Sequence, residues 1–193
     1  MPRQVDYEDR RRRIAEAVCL LADEHGPEGV SMRDVAARAQ VSVGAVQRCF
    51  RSKEEMLLFA VDHVGDRITE RVRARLAANP AHALGHAVDE IALLREEHRA
   101  EARIWLAFIA QAAVKEPLAG PLRNSYAALQ DLLARLVAES AGNGSADPRA
   151  EARALLALAD GLTTHVLIGH LTAQEAEEVL NTHMAGLRER LRN

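Results

Sequence analysis

His82, His86 and Glu90 follow one another at intervals of four residues, which puts two imidazoles and a carboxylate on one face of a helix. Such a trio can begin a transition-metal site, provided further ligands arrive from elsewhere in the fold. No second ligand-bearing motif accompanies it, so a solvated helix face is the preferred reading and a metal-dependent helical enzyme its rival. Cys19 and Cys49 are too few for a disulfide framework, and Cys19 sits in mid-helix near an apolar face, where thiols are usually inert. A further group, Ser42, Val43, Gly44, Ala45, Gln47 and Arg48, combines small residues that permit close approach with two long polar side chains. There is no glycine-rich phosphate loop, nucleophile elbow or spaced Cys/His cluster, so no cofactor is expected.

The elements that hold these groups are helices. The chain of 193 residues contains 36 alanines and 23 arginines but two lysines, Lys53 and Lys115. Alanine is the best helix former, aromatics make up 3%, and β-branched runs are missing, which predicts an all-α fold of about nine helices. Apolar residues at 48% suffice for a real core. No apolar run approaches the roughly 18 residues of a membrane span, and the opening Met1-Pro2-Arg3 is not expected to be a signal peptide. A reduced, cytoplasmic protein without membrane contact is the expectation. The first 53 residues are mildly basic and the remainder acidic, which suits a nucleic-acid reader at the N-terminal end.

Punctuation divides the chain. Helix 1 is expected from about Asp6 to His25, stopped by Gly26-Pro27. Ser31 caps a short second helix to about Arg38, Ser42 a third to about Cys49, and Ser52 with Glu55 opens a fourth to about Ala78. Five more helices are expected at about 80–96, 99–115, 118–140, 148–170 and 172–191, with a flexible linker at 141–146. Helices 2 and 3, joined by about three residues, have the layout of a helix-turn-helix, whose second helix enters the major groove. Val35, Ala36 and Ala39 then bury against helix 1, and Val41, Val46 and Phe50 pin helix 3 from inside.

At these positions the sequence resembles the TetR family of one-component bacterial regulators. The resemblance runs from about Arg13 to Val61 and is carried by Val30-Ser31-Met32-Arg33-Asp34-Val35-Ala36, by Val41-Ser42-Val43-Gly44-Ala45-Val46, and by Phe50-Arg51-Ser52-Lys53-Glu54-Glu55-Met56-Leu57. Trp105-Leu106-Ala107-Phe108 and Asp160-Gly161-Leu162 are similar to stretches in one large branch of that family. It implies a DNA-binding domain at 1–53, with its motif at about 31–50, and a ligand-binding and dimerisation domain at 54–193. Lys53 is then the lysine that meets phosphate beside a helix N-terminus. Arg48 can read guanine through its fork, and Gln47, where the family has Tyr, can bond phosphate or adenine. Ser31, Ser42 and Arg33 are expected on the DNA backbone, Val43, Gly44 and Ala45 close to it, and Arg10 to Arg13 are candidates for an arm. Gln40 stands where the family has Gly or Asn, a position that favours left-handed backbone.

The resemblance further implies a ligand-responsive repressor released from a palindromic DNA operator by a small molecule. An activator or dual regulator with the same head is the alternative. A homodimer through the last two helices is expected, along stripes formed by Leu155, Leu158, Ala159, Leu162 and Val166, and by Ala176, Val179, Leu180, His183, Met184, Leu187 and Leu191. Trp105, Phe108, Ile109, Leu132, Thr163 and His165 are candidate ligand-binding residues, each with ordinary core packing as its competing explanation.

Overall fold

A computed structural model describes residues 2–141 and 147–192, so all but Ala141 of the expected linker lies outside the described residues. The described secondary structure is helical: α1 (Pro2–Gly29), α2 (Met32–Arg38), α3 (Val43–Cys49), α4 (Lys53–Ala78), α5 (Ala83–Ile91), α6 (Arg99–Ala112), α7 (Glu116–Ser140), α8 (Pro148–Leu167) and α9 (Ala173–Arg192), with single 3-10 turns at Pro80–His82 and Glu96–His98. None of these helices is long and apolar enough to cross a membrane. Gly26 breaks α1 with φ 70° and ψ 161°, a conformation few residues but glycine tolerate. The expected helix at 80–96 is shorter than its sequence suggests. It stops at Ile91, beyond which Leu93 takes φ 50° and Ala92 O receives the Thr163 hydroxyl at 2.6 Å.

The residues group into two compact units, one formed by Met1–Asp66 and Arg103–Pro121, the other by Arg67–Ala102 and Leu122–Asn193. In the first, Ile14, Val18, Val35, Ala36, Val46 and Phe50 are buried where α1, α2 and α3 meet. Side chains of α1 also fasten its neighbours. Arg13 Nη2 donates to Ala39 O at 2.8 Å, satisfying a carbonyl at the end of α2. The Arg11 guanidinium lies 4.1 Å from the Phe59 ring centroid and 5.0 Å from that of Phe50, within cation–π range. Arg10 pairs with Asp6 at 3.0 Å. The candidate arm, Arg10 to Arg13, is therefore part of a continuous helix and three of its four arginines are engaged with the protein.

The turn after α2 shows how sequence dictates backbone. Val41 N–H donates to Ala36 O at 2.9 Å and Gln40 N–H to Ala37 O at 3.2 Å, with Gln40 at φ 54°. This is the pairing of a Schellman cap, and it demands left-handed backbone at Gln40. An L-residue there costs roughly 1–2 kcal/mol, against roughly 0.5–1 kcal/mol for the extra freedom a glycine loses on folding. Gln40→Gly is thus expected to stabilise the protein by up to about 1 kcal/mol, and Gln40→Val, being β-branched, to destabilise it. Urea unfolding of both variants checks this; a glycine variant weaker than the parent refutes it.

In the second unit, the charged face of α4 is the main surprise. Arg71 donates from Nε to Glu90 at 2.8 Å and from both Nη atoms to Glu101 at 3.2 and 2.7 Å. Arg67 adds a bond to Glu101 at 3.0 Å, and Arg75 and Arg95 each reach Glu90 at 3.3 Å. Burial alone would lower the Arg71 pKa, but its bonds to Glu101 and Glu90 prevail and hold it above the ordinary arginine value. His98 is buried beside this cluster, and desolvation followed by the Arg71 charge pushes its pKa down, which favours the neutral imidazole.

Candidate nucleic-acid interface

The short helix α3 divides its residues sharply between two sides. Ala45, Val46 and Cys49 are buried, whereas Ser42, Val43, Gln47 and Arg48 are exposed and Gly44 is half-buried. Val43 with Gln47, and Gly44 with Arg48, are pairs four residues apart, so the four share one outward stripe. Ala45 departs from expectation. At 7% exposure it belongs to the inner face with Val46 and Cys49, and it cannot touch another molecule without repacking. At Gly44 an added Cβ would meet only the Arg48 guanidinium, at 3.6 Å, so the backbone here is open to approach.

Three serines set the helix starts around this stripe. Ser31 Oγ accepts from Asp34 N at 3.2 Å, Ser42 Oγ from Ala45 N at 3.1 Å, and Ser52 Oγ from Glu55 N at 3.1 Å. Glu55 completes its box differently from the usual pattern, accepting from Arg51 N at 2.7 Å. Arg33 is exposed on the first turn of α2. Lys53, the first residue of α4, donates from Nζ to Glu28 O at 2.8 Å, and Lys115 reaches the Glu28 carboxylate at 3.1 Å. Buried Cys49 lies behind the stripe, its thiol pKa raised by burial, and Cys19 Sγ donates to Ala60 O at 3.9 Å; neither is disulfide-bonded.

Residues 14–60 match the model of bacterial regulatory proteins of the tetR family, and residues 80–189 that of the BetI-type transcriptional repressor C-terminal region. The chain belongs to the TetR family. The HTH-type transcriptional regulator PksA of Bacillus subtilis is 32% identical over 171 residues, 87% of this chain and 83% of that protein. The HTH-type transcriptional regulator BetI of Paraburkholderia phytofirmans is 31% identical over 169 residues, 84% of each. A crystal structure of a transcriptional regulator from Rhodococcus sp. Rha1 is 31% identical, with a TM-score of 0.80 over 93% of this chain and 96% of that one. This TetR-family chain is accordingly a DNA-binding transcriptional regulator, of a class that is not enzymatic and that binds DNA operators and small-molecule effectors.

The metal-site rival fails on geometry. Glu90 is 2% exposed and enclosed by Arg71, Arg75 and Arg95, so its oxygens are committed to guanidinium groups. His82 precedes α5, ends a 3-10 turn and lies 3.4 Å from Asn79 Oδ1, which breaks the regular spacing. Among the described residues no three His, Cys, Asp or Glu side chains cluster to hold a metal.

The six candidate ligand residues fall into two groups. Trp105 and Phe108 are buried and Ile109 half-buried in the first unit, while Leu132, Thr163 and His165 belong to the second. Of the six, Thr163 lines a cavity of about 340 Å³ between the turn after α5 and the turn after α8. Arg95, Arg99 and His170 share that wall and are absent from the sequence-based list. Their sequence signal is basic residues at or just outside helix ends.

Proposed function

We propose that the protein is an effector-responsive repressor that acts as a cytoplasmic homodimer on a palindromic operator. The observation that carries this reading is the α3 stripe: Val43, Gly44, Gln47 and Arg48 face outward on a helix whose opposite side is fully used in packing. Gln47 and Arg48 read base edges, Gly44 and Val43 let the groove come close, and Ser31, Arg33, Ser42 and Lys53 contact phosphates. Lys53 exchanges its bond to Glu28 O for a phosphate, at an α4 N-terminus whose dipole favours the anion. The repressor sense is supported by the BetI-type repressor match across residues 80–189.

The proposed dimer face keeps Val179 of the apolar stripes but little else of them. Leu155, Ala159, Leu162, Ala176, Leu180, Met184, Leu187 and Leu191 are all buried within one protomer and form its core. The face left for a second copy carries Ala154, Gly161, His165 and Ile168 along α8 and its cap, and Val179, Thr182 and Gly186 on α9. Ile168, 69% exposed, and Val179, 44% exposed, are its apolar anchors. Two heads so joined meet half-sites one helical turn apart or a multiple of it. Effector binding in the second unit displaces α4, whose residues belong to both units, and respaces the heads.

Fluorescence-anisotropy titration of labelled fragments tiling the DNA around the protein's own coding region, at two salt concentrations, tests this reading. One palindromic fragment should bind tightly. Lys53→Ala should weaken binding to every fragment alike and flatten the salt dependence by about one unit per head. Absence of binding to any DNA at low salt would overturn it.

A further inference from the structure

We propose that the cavity between the α5–α6 and α8–α9 turns is a binding site for a small organic carboxylate with a short apolar tail. The proposal rests on the effector-responsive reading only for its consequence, since the site itself is argued from its walls.

Both walls are fixed before any ligand arrives. On one side Leu93 is buried with φ 50°, a costly backbone for a bulky side chain, and the preceding Ala92 carbonyl is held by the Thr163 hydroxyl from α8. Backbone strain of this kind persists only where the surroundings over-determine it, and it concentrates at ligand clamps. On the other side α8 ends in a Schellman cap: His170 N–H donates to His165 O at 2.9 Å and Gly169 N–H to Val166 O at 3.1 Å, with Gly169 at φ 74°. A preformed site loses little affinity to ordering. The volume of about 340 Å³ is at the lower end of the range for small-ligand sites.

The chemistry of the lining selects the ligand. Leu93, Leu94, Val166 and Leu171 supply an apolar floor. At the rim stand two guanidinium groups and an imidazole, from Arg95, Arg99 and His170. Arg99 has as its ion-pair partner Glu96, at 3.5 Å, and Glu96 is 86% exposed in its side chain, so most of the fork is available. Arg95 engages Glu90 and Glu97 through one nitrogen, Nη1, at 3.3 and 3.6 Å. Two carboxylates share the lining: that of Glu96, which is turned mostly to solvent, and that of Glu175, which already accepts from Thr172 N and Oγ1, both at 2.8 Å. Donors with remaining capacity thus outnumber acceptors, and a planar fork matches a carboxylate in two-point contact. The buried floor below it takes alkyl or aryl carbon.

Hexanoate, hexanol and hexylammonium serve as probes of one length and three charges, titrated calorimetrically into the full chain. Saturable binding of hexanoate, at least tenfold tighter than of the other two, is expected. Arg99→Gln should weaken hexanoate at least tenfold, while Arg99→Lys retains part of the affinity. Both variants should match the parent in thermal midpoint and in operator binding without probe, because Arg99 is half-buried and its ion pair is with the solvent-exposed Glu96. Equal or tighter binding of hexylammonium, an unchanged hexanoate affinity in Arg99→Gln, or no hexanoate binding at all would each overturn the site. The operator assay separates the two readings. Hexanoate that binds through Arg99 without altering operator affinity sustains the site and sinks its regulatory use; intact operator binding with no hexanoate binding sinks the site and leaves the operator-binding reading standing.

Discussion

Glu90→Gln is expected to lower unfolding stability by up to about 3 kcal/mol, the largest single loss among the charged residues. Glu90 is almost wholly buried, and three arginines converge on it from α4 and from the turn after α5. Building such a cluster gains little net free energy, since desolvation of the charges offsets their attraction. Removing one partner is different, because it strands the opposite charges in part-buried surroundings, at about 3–5 kcal/mol for a fully buried pair and less where, as here, the arginines keep 25–34% of their side-chain surface in solvent. Glutamine keeps the shape, so the loss would report charge and not a cavity. Arg71 retains Glu101, which moderates the effect toward the low end. Urea unfolding monitored by circular dichroism gives the value; a change within about 0.5 kcal/mol would mean the arginines relax into solvent at no cost.

Arg48→Ala should reduce operator affinity by about 1–3 kcal/mol per head, the worth of one good bidentate base contact, and hence by about 2–6 kcal/mol for a dimer. Arg48 is exposed on α3 and its loss leaves Val46, Cys49 and Phe50 in place, so the head stays folded. The distinctive sign is selectivity: operator binding falls far more than binding to random DNA. Anisotropy titrations against both DNAs decide it. Equal losses on the two would reduce Arg48 to a phosphate contact, the role assigned to Lys53.

Local rules were readable wherever a residue had few alternatives. Ser31, Ser42 and Ser52 cap as their spacing suggests, Gly26 breaks α1, and Gln40 takes the left-handed backbone expected of its place in the turn. Helix length failed where tertiary contact decides it: nothing near Leu93 signals a stop, and the Thr163 bond that fixes Ala92 comes from a residue 71 positions away. Small size suggests an outward Ala45, but its register with Val46, Cys49 and Phe50 is the better guide. Four-residue spacing groups Glu90 with His82 and His86, whereas its partners lie on α4 and in the turn after α5. The clue was Arg67, Arg71 and Arg75 at four-residue intervals, a cationic face on a helix that also has to pack. The dimer and ligand residues followed apolar periodicity, which marks burial without saying whether the cover is intramolecular.

Both lysines of the chain meet at Glu28, one on its carbonyl and the other on its carboxylate. Reagents that acylate amines therefore have, apart from the chain's amino terminus, a single patch to attack, and it adjoins the N-terminus of α4. Acetic anhydride followed by peptide mass spectrometry becomes a two-channel footprint of DNA occupancy. Lys53 carries the signal, and Lys115, a neighbour at the same glutamate, supplies the internal reference.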